Sequence, residues 1–315
     1  MLDLRSIREA RERIGPHIEV TPARRIGEGP IWLKCENRQR TGSFKIRGAL
    51  NKVLGLPAEQ MERGVVAASA GNHGQGVALA ARMRGARATI VVPSTAVQVK
   101  VDRIRALGAE VVFAFGDYSV AEAEGHELAR RRGAAWVSPY NDLDVIAGQG
   151  TIALELVEQL GLWSGGEAWD VFVPASGGGL VSGIGVGLKA AGARVKVVGV
   201  QPKAAPYLHT FFHGGDIEKV VETPTIADGL SGAVEAGSIT FGLLRDAVDA
   251  FALVSEEAIW DAIRWAEREA GEVIEPSAAV ALAAALESDG ERRVAVISGG
   301  NVDPAVLAKA RDGAS

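Results

Sequence analysis

Short apolar, β-branched runs recur along the chain and alternate with stretches whose apolar residues repeat every three to four positions. The runs at Ile31–Glu36, Val65–Ala68, Ala88–Val92, Glu110–Phe115, Ala135–Val137, Val171–Val173, Val195–Val200 and Val294–Ile297 predict strands. Between them, Gly74–Met83, Val99–Leu107, Val120–Arg132, Gln149–Leu160 and Gly183–Ala191 predict helices, and the first 15 residues form an amphipathic helical pattern with mixed charges. Such alternation means parallel strands joined by crossover helices. The strand runs are continuously apolar, as in sheets covered on both faces. The expected fold is therefore α/β, with two open, mainly parallel twisted sheets flanked by helices. The composition changes near Tyr140-Asn141-Asp142. Residues 64–141 are expected to form a small α/β domain, with 1–63 and 142–315 building a larger domain around it. In open sheets of this kind, ligands bind beyond the carboxyl ends of the strands.

Composition narrows the function classes. Of 315 residues, 47% are hydrophobic and 23% charged, with a net charge of −5. A net acidic chain is a poor partner for nucleic acid or anionic membrane, which need a basic surface. Arg130-Arg131-Arg132 ends a helical pattern, where cations complement the helix dipole. The single cysteine, Cys35, excludes an internal disulfide and a thiolate zinc site and reads as a packed thiol. His209 and His213 are spaced for a metal pair but lack an intervening glutamate, so no metal site is expected. The N-terminal segment lacks a signal-peptide core and no apolar run reaches membrane-spanning length, which points to a cytoplasmic protein.

Four segments carry candidate chemistry. The strand Val171–Pro174 leads through Ser176, Gly177, Gly178, Gly179 and Leu180 into a helix. Three glycines at a helix N-terminus leave backbone N–H groups free to cradle an anion; a tight turn is the plainer alternative. Neither a G-x-G-x-x-G nor a G-x-x-x-x-G-K-[ST] spacing is present, and Gln201 ends the next strand where a dinucleotide site would place an acid. A small phosphate ester fits better. Lys45 follows the polar turn Thr41-Gly42-Ser43-Phe44; it is either a surface lysine or an amine able to form a Schiff base with an aldehyde. In Ser69-Ala70-Gly71-Asn72-His73, a loop before a helix, Asn72 can hold a carboxylate or donate to a phenolate-like oxygen. His73 is either a base or a structural histidine. Ser298, in Ser298-Gly299-Gly300-Asn301, either caps the helix near Pro304 or faces the cleft. Taken together, a lysine and an anion cradle suggest an enzyme that holds a phosphorylated aldehyde.

Seven segments in this order resemble the fold-type II pyridoxal phosphate enzymes, with tryptophan synthase β-like architecture. They are TGSFKIRGA, SAGNHGQG, AGQGTIALE, SGGGL, TIADGL, IEPSAAV and SGGNVD. The nearest branch is the serine/threonine dehydratase (threonine ammonia-lyase) and serine racemase family. The resemblance implies pyridoxal 5'-phosphate as cofactor, with Lys45 as the lysine that bonds to it and as the base for the substrate α-proton. Phe44 would lie against the cofactor ring, Asn72 would bond its 3' oxygen, and Ser298 would meet its nitrogen. Ser176, Gly177, Gly178, Gly179 and Leu180 would hold the phosphate, and Gly229 would line the other side. Ser69, Ala70, Gly71, Asn72 and His73 would receive the substrate carboxylate.

The implied reaction is β-elimination from L-threonine or L-serine, giving a 2-oxo acid and ammonia. The alternatives are another β-hydroxy amino acid such as 3-hydroxyaspartate, serine racemisation, or a non-catalytic phosphate-ligand binding protein. A homodimer is also implied. Three departures bear on this. Ala70 stands where the racemases carry a second serine. Gln201 and Tyr207 stand where acidic cation ligands are often found. The cradle begins with Ser176 rather than a fourth glycine. The chain ends soon after SGGNVD, so a regulatory C-terminal domain is not expected.

Overall fold

The computed structural model describes residues 1–162 and 167–313. Its strands are β1 (Ala23–Arg25), β2 (Ile31–Cys35), β3 (Val65–Ala68), β4 (Ala88–Pro93), β5 (Glu110–Ala114), β6 (Ala135–Trp136), β7 (Trp169–Pro174), β8 (Val195–Pro202), β9 (Ala250–Val254) and β10 (Arg293–Ile297). The helices are α1 (Leu4–Ile14), α2 (Lys45–Gly55), α3 (Ala58–Arg63), α4 (Asn72–Arg84), α5 (Gln98–Ala106), α6 (Tyr118–Arg132) and α7 (Leu143–Leu160). They continue with α8 (Gly179–Ala190), α9 (Tyr207–Phe212), α10 (Thr240–Ala247), α11 (Glu256–Ala270), α12 (Pro276–Glu287) and α13 (Pro304–Arg311).

The strands form a six-stranded sheet in the order β1-β2-β10-β7-β8-β9 and a four-stranded sheet in the order β5-β4-β3-β6. Every pairing is parallel except β1 with β2. The expected two-sheet α/β architecture is thus the observed one. Central strands are buried along their whole length, as continuous Val, Ile and Ala runs require: β3 and β10 have no exposed residue.

The sequence pattern missed β1 and β9. Both lie at the edges of the large sheet. Ala23-Arg24-Arg25 has no apolar run to betray it. Helix starts were also placed late, because caps rather than periodicity set them. Asp142 accepts from the amides of Asp144 and Val145 and starts α7 six residues before the predicted position. Asp117 likewise starts α6 at Tyr118. Asn72 and His73, expected in a loop, are the first two residues of α4.

Close helix packing sets the geometry beneath the cleft. A Cβ on Gly148 of α7 would lie 2.6 Å from the Arg47 carbonyl of α2, and one on Gly183 of α8 would lie 2.5 Å from the Ile146 carbonyl. Glycine at these crossings lets α2, α7 and α8 approach backbone to backbone. The fully buried Arg47 guanidinium ties α2 to Glu36, after β2, and to Glu155 of α7.

Candidate active site

The glycine cradle joins β7 to α8. Gly178 is the N-cap of α8, at φ 88° and ψ −8°, a backbone shape that favours glycine. A Cβ on Gly177 would lie 2.3 Å from the Tyr140 ring, and one on Gly178 would lie 3.0 Å from Thr240 Cβ. The Gly177 carbonyl is held by the Thr240 hydroxyl at 2.8 Å. No side chain caps α8, so its first-turn N–H groups remain available to an anion. Leu180 buries its side chain in the core and offers only its backbone to the cradle. These residues fit a phosphate ester: the space is one that side chains would fill, and the donors are backbone amides.

Lys45 is the first residue of α2. Its Nζ donates to the Pro139 carbonyl at 3.0 Å and lies 5.1 Å from the centre of the Phe44 ring. Burial pushes the amine down to about 8, against a weaker opposing pull from Glu275. The turn before it is pinned to the end of β10: Ser43 bridges Gly299, and the Phe44 amide donates to the Ser298 carbonyl at 3.0 Å. Tyr140, next to Pro139, is the residue whose ring rests on Gly177. Two consecutive residues therefore connect the lysine amine to the cradle. Ser298 does not cap the following helix; Asp303 does, by accepting from the Ala305 amide.

Behind Lys45, α4 approaches closely enough that a Cβ on Gly76 would lie 3.2 Å from Lys45 C. No side chain caps α4, so its N-terminus is also open to an anion such as a carboxylate. The Ser69 hydroxyl accepts from the Gly71 amide at 3.1 Å. Ala70, Gly71 and Asn72 are half-buried. His73 is buried, with Nε2 2.8 Å from the Val137 carbonyl. A carbonyl only accepts, so Nε2 carries the proton. Burial, reinforced by Lys45, pushes the imidazole down to about 3. The His73 ring is thus held by the Val137 carbonyl and its charged form is disfavoured.

Asn72 donates from Nδ2 to Glu275 Oε1 at 2.7 Å and accepts at Oδ1 from Asn301 Nδ2 at 2.8 Å. Glu275, just before α12, is pushed up to about 7 by burial. Gly229 donates its amide to Ser277 Oγ at 3.0 Å, two residues beyond Glu275. Tyr140, Glu275 and Asn301 were not singled out from the sequence. Glu275 and Asn301 lie inside IEPSAAV and SGGNVD, but only the fold shows that both reach Asn72.

Two other expectations can be placed. Cys35 is fully buried and burial pushes its thiol up to about 11, as suits a packed, unreactive group. Gln201 accepts from the His209 amide at 2.8 Å, and Tyr207 is buried. Among the described residues no group of three or more His, Cys, Asp or Glu is placed to hold a metal ion, and no helix is long and apolar enough to cross a membrane.

Comparison with known proteins bears on this geometry. The family described as "Pyridoxal-phosphate dependent enzyme" matches residues 14–299. The chain is 45% identical over 278 residues to the L-threonine ammonia-lyase of Thermotoga maritima, covering 87% of this chain and 68% of that enzyme. It is 36% identical to a serine racemase of Oryza sativa subsp. indica, over 97% of this chain and 92% of that one. The processed form of threonine deaminase isoform 2 from Solanum lycopersicum superposes with a TM-score of 0.88 at 33% identity, over 98% of this chain and 94% of that chain.

Proposed function

The chain belongs to the pyridoxal-phosphate dependent enzyme family, and on that premise we propose that it catalyses β-elimination of L-threonine or L-serine to a 2-oxo acid and ammonia. The observation that carries this reading is Lys45: a low-pKa amine, one residue-to-residue contact away from an uncapped glycine cradle. The similarity to an L-threonine ammonia-lyase supports the reaction class.

Pyridoxal 5'-phosphate supplies, when bound, an electron sink for the bond-breaking at the substrate α-carbon. The chain supplies the rest. Backbone amides of Ser176, Gly177, Gly178, Gly179 and Leu180 would hold the phosphate at the α8 N-terminus. Phe44 and Gly229 would flank the ring, Asn72 would donate to its oxygen, and Ser298 would meet its nitrogen as a neutral hydroxyl. The substrate carboxylate sits at the α4 N-terminus, against Ser69, Ala70, Gly71, Asn72 and the His73 backbone. The neutral His73 ring, locked to Val137, is not the base. Lys45, whose amine burial pushes down to about 8, takes the α-proton on one face. Residues 64–141 act as a small domain that closes over the substrate, against a large domain formed by 1–63 and 142–315. A cytoplasmic homodimer completes the reading.

Capture of pyridoxal phosphate by the apo protein should speed up as pH rises through about 8 and then level off, because only the neutral amine attacks an aldehyde. Stopped-flow absorbance checks this; a rate still climbing at pH 10 would place Lys45 at an ordinary lysine value.

Ala70 decides between elimination and racemisation. A methyl group cannot protonate the second face of the α-carbon. D-serine formation from L-serine is expected to run at least about 10²-fold below pyruvate release. Comparable rates would assign the chain to racemisation, the activity named for its rice relative. Oxo-acid release across serine, threonine and both 3-hydroxyaspartate diastereomers tests the substrate. A protein that acquires no absorption band at roughly 410–420 nm with the cofactor would be a binder of phosphate ligands only.

A further inference from the structure

Asn301 Nδ2 donates to the Thr41 carbonyl at 2.7 Å as well as to Asn72 Oδ1 at 2.8 Å. A backbone carbonyl can only accept, so Thr41 fixes which end of the Asn301 amide points inward. That end is the NH2 group, and it faces the Asn72 side chain. Asn72 must therefore present its oxygen to Asn301 and its nitrogen to Glu275, whose carboxylate accepts at 2.7 Å. The reversed Asn72 amide would set nitrogen against nitrogen at Asn301 and oxygen against oxygen at Glu275. Asn301, whose amide the Thr41 carbonyl holds in place, excludes it. The relay is tightly packed: a Cβ on Gly42 would lie 2.7 Å from Asn301 Oδ1, and one on Gly299 would lie 3.2 Å from Asn72 Nδ2. Asn72 keeps one N–H uncommitted by these two contacts.

We propose that Asn301 and Glu275 are positioning residues that orient the Asn72 amide, so that Asn72 meets the cofactor's ring oxygen only as a hydrogen-bond donor. This deepens the functional reading above and rests on it. A donor aimed at that oxygen favours its anionic form, whereas an amide turned the other way would repel it. The signal runs from the backbone of the Thr41 turn, four residues before Lys45, through Asn301 and Asn72 to Glu275. The turn that places the lysine therefore also sets the polarity of the group opposite the ring oxygen.

The test compares two probes, pyridoxal 5'-phosphate and its 3-deoxy analogue, which lacks the ring oxygen. Titration of the apo full-length chain gives a dissociation constant for each. Asn301→Asp offers only acceptors to Thr41 and Asn72 and forces the amide to turn. It should weaken pyridoxal phosphate about 10- to 100-fold while leaving the analogue within about threefold of wild type. Asn301→Leu should act in the same direction and serves if the aspartate variant does not fold. Arg130→Ala, which removes only an exposed pair with Glu127, should leave both constants within about threefold. Equal weakening of the two probes by the Asn301 variants would mean a merely structural role and overturn the proposal. Unchanged binding of both would overturn it as well. A wild-type chain that fails to bind pyridoxal phosphate would instead sink the functional reading on which the proposal stands.

Discussion

Replacing Lys45 by alanine is expected to lower oxo-acid release by at least about 10³-fold while the fold and its melting temperature survive. The two halves of this expectation have different origins. Lys45 is the one amine described at the cleft with a carbonyl partner beside the cradle, so no neighbour can take over its proton transfer. Its loss removes a group that the fold holds at some cost: burial alone disfavours its charged form. Alanine at the first position of α2 is also a good helix former. Steady-state rates together with a thermal melt check both parts. Turnover within tenfold of wild type would exclude Lys45 as the base. A collapse of the melting temperature would make the lysine structural instead.

The largest effect on stability is expected from Arg47→Leu. The Arg47 guanidinium donates to Glu36 at 2.7 and 2.8 Å, to Glu155 at 2.7 and 3.1 Å and to Thr151 at 3.1 Å. Lys34 also bonds Glu155 and the Thr21 carbonyl. Two cations and two anions thus neutralise one another, all buried. Burial works to raise the Glu36 carboxyl, but Arg47 outweighs it and holds Glu36 below its usual range. Removing Arg47 leaves two buried carboxylates to share Lys34. Breaking such a network costs about 3–5 kcal/mol, or a fall in melting temperature of about 5–8 °C. Arg130→Ala, which removes an exposed i,i+3 pair with Glu127, should leave the melt unchanged. A similar melt for both variants would show that the buried network contributes nothing specific. Because Arg47 lies two residues after Lys45, the network also fixes the helix end that carries the amine.

Much of this was legible in advance because it is local. Parallel strands announce themselves as unbroken Val, Ile and Ala runs, since both of their faces must be buried. The cradle announces itself as consecutive glycines between a strand and a helix, and the Lys45 turn as a polar, glycine-containing lead-in. Ordered matching of seven segments then pointed to a family. What stayed hidden was non-local. β1 carries two arginines and pairs only at a sheet edge, so no apolar period marks it. Asn72 and His73 read as loop because Gly71 provides no side-chain cap.

The sequence by itself determined the two-sheet α/β class and pointed to Lys45 and the glycine turn as candidates, because each is written in contiguous residues whose conformation is set by near neighbours. Only the tertiary structure decided who faces whom. It brought Tyr140 onto Gly177 across 37 positions and Pro139 onto Lys45 across 94, and it gathered Thr41, Asn72, Glu275 and Asn301 from four separate segments. It also shifted the balance of charge. Lys45 and Glu275 move toward neutrality, and His73 stays neutral, because packing removes water around them. Burial of that kind belongs to the folded chain as a whole and has no signature in any one stretch of it.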